Sequence, residues 1–356
     1  MKKVAFPSLF LIGVAALLPV ARAQVQITGI SYGTLVDSAN TNNRGNNNLD
    51  FQNQYAPVNT VSTSTTTYRF DGPTATSIVT RRNTSEAGPN NTTVFYQVNN
   101  GSASNPLGNY DASVQDMFLG ANLMEGLRNP FANGAGAQNS NIERIDFLLP
   151  NYVVGANDAL VFFDLEDTGN RGDGFRIAAY TSVGTVNGFT NAPTAYAGNG
   201  LLVAPDSFGP AVNSPTAGTN GYFERVTYTN GDDLSGTVSN GNISNIGNGL
   251  NLVGILIRLT DLGITAGTTI QGFSLMGADV NPSAVSGTDL VNWNNTSVYL
   301  NNTSAAGVGN MDFMAFGATV AKPVPEPSVY GAILIAAALG GWWVRRRQLE
   351  LVRVKV

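Results

Sequence analysis

Tyr222-Phe223-Glu224-Arg225-Val226-Thr227-Tyr228-Thr229 runs directly into Asn230-Gly231, and this stretch sets the reading of the chain. Tyr222, Glu224, Val226 and Tyr228 alternate with Phe223, Arg225 and Thr227, a period of two in branched and aromatic residues that suit a pleated surface. Asn-Gly then accepts positive φ at both positions, as a tight hairpin turn requires. Outward from here the same pattern recurs. Thr92 to Val98, Ile145 to Leu149, Ala159 to Leu165, Phe175 to Tyr180, Leu250 to Thr260, Thr268 to Met276 and Met311 to Val320 read as strands. Further Asn-Gly pairs at Asn100-Gly101, Asn187-Gly188, Asn220-Gly221 and Asn240-Gly241 read as turns. Ser113 to Arg128 reads as helix, with Val114, Phe118, Leu123 and Leu127 roughly on one face before Asn129-Pro130 stops it. Many short strands with polar, glycine-rich turns predict an all-β, antiparallel β-sandwich of jelly-roll type with one short helix.

Composition narrows the function. Of 356 residues, 12% are charged, about half the roughly 25% usual in globular proteins. A hydrophobic fraction of 43% excludes a disordered coil. Cys and His are both absent, which excludes disulfides, thiol nucleophiles, histidine bases and ordinary zinc or haem sites. The net charge of −5 conceals an acidic body, because residues 24–321 hold 10 Arg, no Lys and 22 acidic residues, a net −12. Such a body repels phosphate backbones, so no nucleic acid partner is expected, and it attracts cations.

Both ends carry address signals. Lys2 and Lys3, the apolar Val4 to Val20 and the small-x-small Ala21-Arg22-Ala23 make residues 1–23 a signal helix, cut by signal peptidase before Gln24. Near the other end, Val329 to Val344 holds 16 uncharged residues and meets Arg345, Arg346 and Arg347. At 1.5 Å per residue this transmembrane helix covers about 24 Å of a hydrocarbon core of about 30 Å. Trp342 and Trp343 suit the membrane interface, and the arginines form a stop on the cytoplasmic side that leaves the body outside. Val324-Pro325-Glu326-Pro327-Ser328 precedes the helix as a stiff, extended linker.

This order (Pro325-Glu326-Pro327, an apolar helix, an arginine cluster) resembles the PEP-CTERM sorting signal of Gram-negative bacteria. The resemblance covers Pro323 to Arg347, and the tail beyond, Gln348 to Val356, is longer than such signals usually have. It implies that an exosortase, a transpeptidase-like membrane enzyme, recognises Pro325, Glu326 and Pro327 and removes the tail. The product would be transiently anchored in the inner membrane and then delivered to the cell surface or extracellular polysaccharide. The expected organisation is a signal peptide at 1–23, one sandwich ectodomain at 24–321 and a sorting tail at 322–356.

Three stretches of the body carry candidate chemistry. Asp164, Glu166, Asp167, Asn170 and Asp173 place five oxygen-bearing side chains within ten residues between strands. A flexible loop of that kind suits Ca²⁺, which takes six to eight oxygens, and equally suits a solvated hairpin. It is not an EF-hand, because Phe175 stands where the twelfth-position glutamate belongs. Asp167-Thr168-Gly169 lacks the second triplet that an aspartic protease needs. Trp293, in Asn292-Trp293-Asn294-Asn295, reads either as an exposed ring for glycan stacking or as a half-buried sandwich aromatic. Glu143, Glu166 and Glu224 leave glycoside hydrolysis open only if two carboxylates stand about 5 to 10 Å apart. No cofactor is expected apart from the Ca²⁺ candidate. The expectation is a non-enzymatic surface or matrix protein with a structural or adhesive sandwich; the alternatives are a carbohydrate-binding module or a polysaccharide-active enzyme.

Overall fold

A computed structural model describes residues 24–33, 36–37, 54–82, 92–99, 122–123, 127–129, 142–166, 172, 174–198, 200–204, 207–212, 220–228, 239–248, 251–277, 280, 288–295, 297–299, 313–315, 318–325 and 334–345. In chain order its strands begin with β1 (Gln24–Gln26), β2 (Gly29–Tyr32), β3 (Val36–Asp37), β4 (Gln54–Ser62), β5 (Thr67–Arg69), β6 (Ser77–Arg82) and β7 (Thr92–Asn99). Next come β8 (Asn122–Leu123), β9 (Leu127–Asn129), β10 (Ile142–Val153), β11 (Ala159–Glu166), β12 (Phe175–Val186), β13 (Phe189–Tyr196) and β14 (Leu201–Val203). The last are β15 (Asn220–Tyr228), β16 (Ser239–Asn248), β17 (Asn251–Arg258), β18 (Thr269–Gly277), β19 (Phe313–Ala315) and β20 (Lys322–Pro323). The fold is an all-β sandwich built from antiparallel sheets.

Its middle layer is the sheet β1-β17-β11-β19. One face of that sheet presents Leu160, Phe162, Val253, Ile255 and Ile257 to the sheet β13-β12-β18-β10-β6, which answers with Ile145, Phe147, Phe175, Ile177, Phe273 and Leu275. Phe147 and Phe273 are register partners on β10 and β18, and their rings stack at 4.6 Å. The opposite face presents Ala159, Val161, Phe163, Leu252 and Leu256 to Val58, Val61 and Tyr68 of the sheet β2-β4-β5-β20. Strands β11 and β17 are therefore covered on both sides. That is why Ala159-Leu160-Val161-Phe162-Phe163 is an unbroken apolar run rather than an alternating one. Each large apolar side chain sealed here contributes about 1.5–3 kcal/mol relative to exposure.

A further sheet, β16-β15-β7-β9, contains the Tyr222 stretch, which pairs with β7 through Tyr222↔Val98 and Val226↔Val94. Its strand reading holds. Turn signals fared unevenly. Asn187 and Gly188, at φ 49° and 86°, form the two-residue turn between β12 and β13, with Val186 opposite Phe189. Asn220-Gly221 and Asn240-Gly241 instead lie within β15 and β16, so those two turn readings are corrected. Asn100-Gly101 and Asn230-Gly231 have at least one member outside the described residues.

The helix expected at Ser113 to Arg128 is corrected where the structure describes it. Asn122–Leu123 is β8, paired to β4 through Ala56↔Leu123, and Leu127–Asn129 is β9, paired to β7 through Tyr96↔Arg128. The first half of β4, beyond its pairing with β5, and the side of β7 away from β15 offer these residues backbone partners, and tertiary pairing overrides a weak helical spacing.

The sheet extends past the expected end of the body at 321. In β20, Lys322 pairs with Arg69 and Pro323 with Tyr68 of β5, and the Val324 N–H donates to the Thr67 carbonyl at 2.7 Å. Residues 334–345 are helical, with side chains such as Leu334 and Trp342 exposed. No helix among the described residues is long and apolar enough to cross a membrane. The expected signal helix lies outside the described residues.

Candidate functional site

Strand β10 lies between β18 and β6, so both of its edges are paired. Ile145 and Phe147 point into the apolar core, which puts Arg144 and Asp146 on the other face. Register then brings Arg81 of β6 opposite Arg144, and Ser274 of β18 opposite Asp146. Two guanidiniums side by side repel one another unless an anion stands between them. Asp146 is that anion. Its Oδ1 accepts from Ser274 Oγ at 2.6 Å and lies 2.7 Å from Arg144 Nε. Its Oδ2 accepts from Arg81 Nε at 3.1 Å and from Arg144 Nη2 at 3.0 Å.

A cover lies over this cluster. Arg144 Nη1 donates to the Leu290 carbonyl in a short 3-10 turn, Asp289–Val291, and to Tyr299 Oη at 3.3 Å. Tyr299 Oη itself donates to the Leu290 carbonyl at 2.7 Å. The segment is thereby fastened to the sheet, and it carries Trp293 down onto both arginines. The Trp293 ring centre is 4.8 Å from the Arg81 guanidinium carbon and 5.2 Å from that of Arg144. Phe189, at the start of β13, meets Trp293 edge-on at 5.5 Å and also lies 5.3 Å from Arg81. Asn187 Nδ2 donates to Asn292 Oδ1 at 3.0 Å, latching the hairpin tip to the cover. Ala178, Met276, Val280, Leu290 and Val298 complete an apolar surround.

The electrostatics are unusual for an interior. Arg81, Arg144 and Asp146 are all buried, so two positive charges face one negative. Burial disfavours the Arg144 charge, but Asp146, Tyr196 and Tyr299 beside it hold its pKa well above the ordinary value. Burial drives the Tyr180 and Tyr196 hydroxyls well above the usual tyrosine range, with Asp146 adding to the effect and Arg144 opposing it. Asp146 is well supplied with partners, and Arg144 uses both Nη atoms while its Nε stands in ion-pair contact with Asp146 without a hydrogen bond. Arg81 is less well supplied: both of its Nη atoms are buried and have no hydrogen-bond partner.

The residues singled out in the sequence are placed differently. Trp293 is only 3% exposed and sandwiched within this cluster, which corrects the reading of an exposed ring for glycan stacking. Cation–π contact with two buried guanidiniums explains why a tryptophan set among asparagines goes inside. Asp164 and Glu166 belong to β11 by backbone, while their side chains and all of Asp167, Asn170 and Asp173 lie outside the described residues. Among the described residues no group of three acidic side chains is placed to hold a metal. Pro325 is exposed just beyond β20, and Arg345 is exposed at the end of the 334–345 helix. Ala21, Ala23, Glu326, Pro327, Arg346 and Arg347 lie outside the described residues, as do the side chains of Glu143 and Glu224.

The arginine cluster escaped the sequence reading. Its signal was available in Ile142-Glu143-Arg144-Ile145-Asp146-Phe147, where Arg144 and Asp146 sit two apart between residues of a strand with a core face. Nothing local distinguishes such a pair from a solvated face; only the cover segment, some 150 residues away, buries it.

Comparisons with protein-family models and with curated proteins give no match. Among solved structures, the carbohydrate recognition domain of Emp47p aligns at 14% identity over 51% of this chain and 94% of that chain, with a TM-score of 0.14. A likeness at that level carries no argument about this chain.

Proposed function

We infer that this is an exported surface or matrix protein, sorted through its C-terminal signal, whose sandwich has a structural or adhesive role. The observation that carries the reading is the order Pro325-Glu326-Pro327, an apolar stretch and Arg345-Arg346-Arg347, with a signal-type N-terminus at the other end. Several structural features support it. Pro325 is exposed two residues beyond the end of β20, where a processing enzyme can reach it. Leu334, Ile335, Leu339, Trp342, Trp343 and Val344 are all exposed on the 334–345 helix, so it is not part of the sandwich core and its apolar surface suits lipid. The sandwich is also read as jelly-roll-like, because the consecutive strands β10, β11 and β12, and again β17 and β18, alternate between facing sheets.

The test is the intact mass of the protein recovered from its native cell surface, beside a Pro325→Ala, Pro327→Ala double variant. The expected wild-type species begins at Gln24 and ends near residue 326, while the variant stays uncut in the inner membrane. A wild-type mass that still includes residues 329–356 overturns the processing step.

A further inference from the structure

We propose that Arg81 is the receptor for a carboxylate, which enters between the β12–β13 hairpin tip and the Trp293 turn. The starting observation is an unmet requirement. Arg81 uses Nε on Asp146, and its two Nη atoms are sealed from water without a hydrogen-bond partner. An arginine left so is costly, because each buried donor forfeits its bonds to water. The second observation is charge. Asp146 is shared by two guanidiniums, so the Arg81–Asp146–Arg144 triad carries one positive charge in excess. A single monoanion neutralises it; a doubly charged oxyanion would overshoot.

Geometry selects the class of anion. The two Nη atoms of a guanidinium form a planar fork that matches the two oxygens of a carboxylate. Phe189 lies against Arg81 and is the partly exposed ring of the cluster, so it offers an apolar contact to whatever group the carboxylate is attached to. The approach is also marked. Phe189 is 36% exposed, the outermost member of a cluster that is otherwise buried. It stands beside the Asn187-Gly188 turn, which among the described residues is held to the cover by the Asn187–Asn292 side-chain bond and by the edge contact of Phe189 with Trp293. Releasing that bond and turning one aromatic side chain exposes the fork without breaking the Asp146 pairings. The carboxylate can be free or borne on a sugar acid, and the two sources differ in whether the Phe189 ring contributes. This site does not depend on the sorting reading, so either can fail alone.

The experiment uses the full chain in detergent with Trp342→Phe and Trp343→Phe, which leaves Trp293 as the one indole of the three in the sequence. Its emission is followed during titration with sodium glucuronate, sodium acetate, sodium sulfate and glucose at constant ionic strength. Glucuronate and acetate are expected to give a saturable change that glucose does not. Affinity should fall roughly tenfold or more in Arg81→Lys, which keeps the charge and a donor for Asp146 but loses the fork. Tighter binding of glucuronate than acetate assigns a sugar acid; equal binding assigns the carboxylate alone, and both outcomes support the site. No saturable change, an equal response to glucose, tighter binding of sulfate, or an unaltered response in folded Arg81→Lys overturns it. Circular dichroism confirms the fold, and a saturable rise in the melting temperature of the unsubstituted chain with glucuronate provides a readout independent of the variant.

Discussion

Arg81 on β6 and Arg144 on β10 stand directly opposite in register, and both donate to one carboxylate oxygen, Oδ2 of Asp146. Replacing Asp146→Asn removes the charge that lets two guanidiniums share the interior. The expected loss is about 3–5 kcal/mol of folding stability, the usual cost of breaking a buried pair from one side. Urea unfolding measures it, and a loss below about 1 kcal/mol would show that the arginines are hydrated in solution.

Trp293 separates two views of the body. As a buried ring against Arg81 and Arg144, its replacement by alanine should cost about 3–5 kcal/mol by opening a cavity, with Trp293→Phe costing less. A solvent-facing ring would give a change within about 0.5 kcal/mol in the same unfolding experiment.

Alkali should unfold the protein through its buried tyrosines. Burial raises the Tyr180 and Tyr196 hydroxyls well above the unfolded value of about 10. Above that pH the unfolded chain loses protons that the folded chain retains, so the unfolded state binds fewer and stability falls as pH rises. The contribution is complete below about pH 10 and is lost towards the folded pKa values. Absorbance near 295 nm should show late tyrosinate appearing together with loss of structure; ionisation of these two rings in a still-folded protein would contradict the prediction.

Two glycines test space against backbone conformation. At Gly272 a methyl group would collide with the Phe147 carbonyl and the Tyr180 ring, which crosses that position so that its hydroxyl donates to the same carbonyl at 2.7 Å. Gly272→Ala should therefore cost about 1–3 kcal/mol or more through overpacking. At Gly188 nothing stands within 4 Å, but φ is +86°, so Gly188→Ala should cost about 1–2 kcal/mol from the backbone alone. Thermal melts of both variants, with Tyr180→Leu added to each, distinguish the causes: only the Gly272 defect should be relieved, and in part, the share due to the Phe147 carbonyl remaining.

Strand identity was legible wherever the sequence carried its own evidence. Alternation in Tyr222 to Tyr228 and the continuous apolar run Ala159 to Phe163 each specify an extended segment, and the second also specifies burial on both faces. Turn chemistry was less decisive. Asn187-Gly188 adopts the φ values its residues allow, whereas Asn220-Gly221 and Asn240-Gly241 were drawn into ladders by the strands beside them. The Leu123 and Leu127 spacing fitted a helix as well as two strand fragments, and partners far along the chain decided between them. The site was the least legible part. Arg81, Arg144 and Trp293 come from distant segments, and their burial arises only when register and the Leu290 carbonyl bring them together.

The pairing of β20 with β5 sets how far the body can stray. Among the described residues the last backbone bond of the body is that of Val324 and the helix is described from residue 334, so the nine residues 325–333 span at most about 30 Å. While the tail is intact under the proposed anchoring, the sandwich is on a short leash, able to sweep only a shell about as deep as the bilayer is thick. Its encounters are confined to whatever crowds that layer. A cut downstream of Pro325 ends the confinement without unzipping an edge, because every hydrogen bond of β20 lies on the side that is kept.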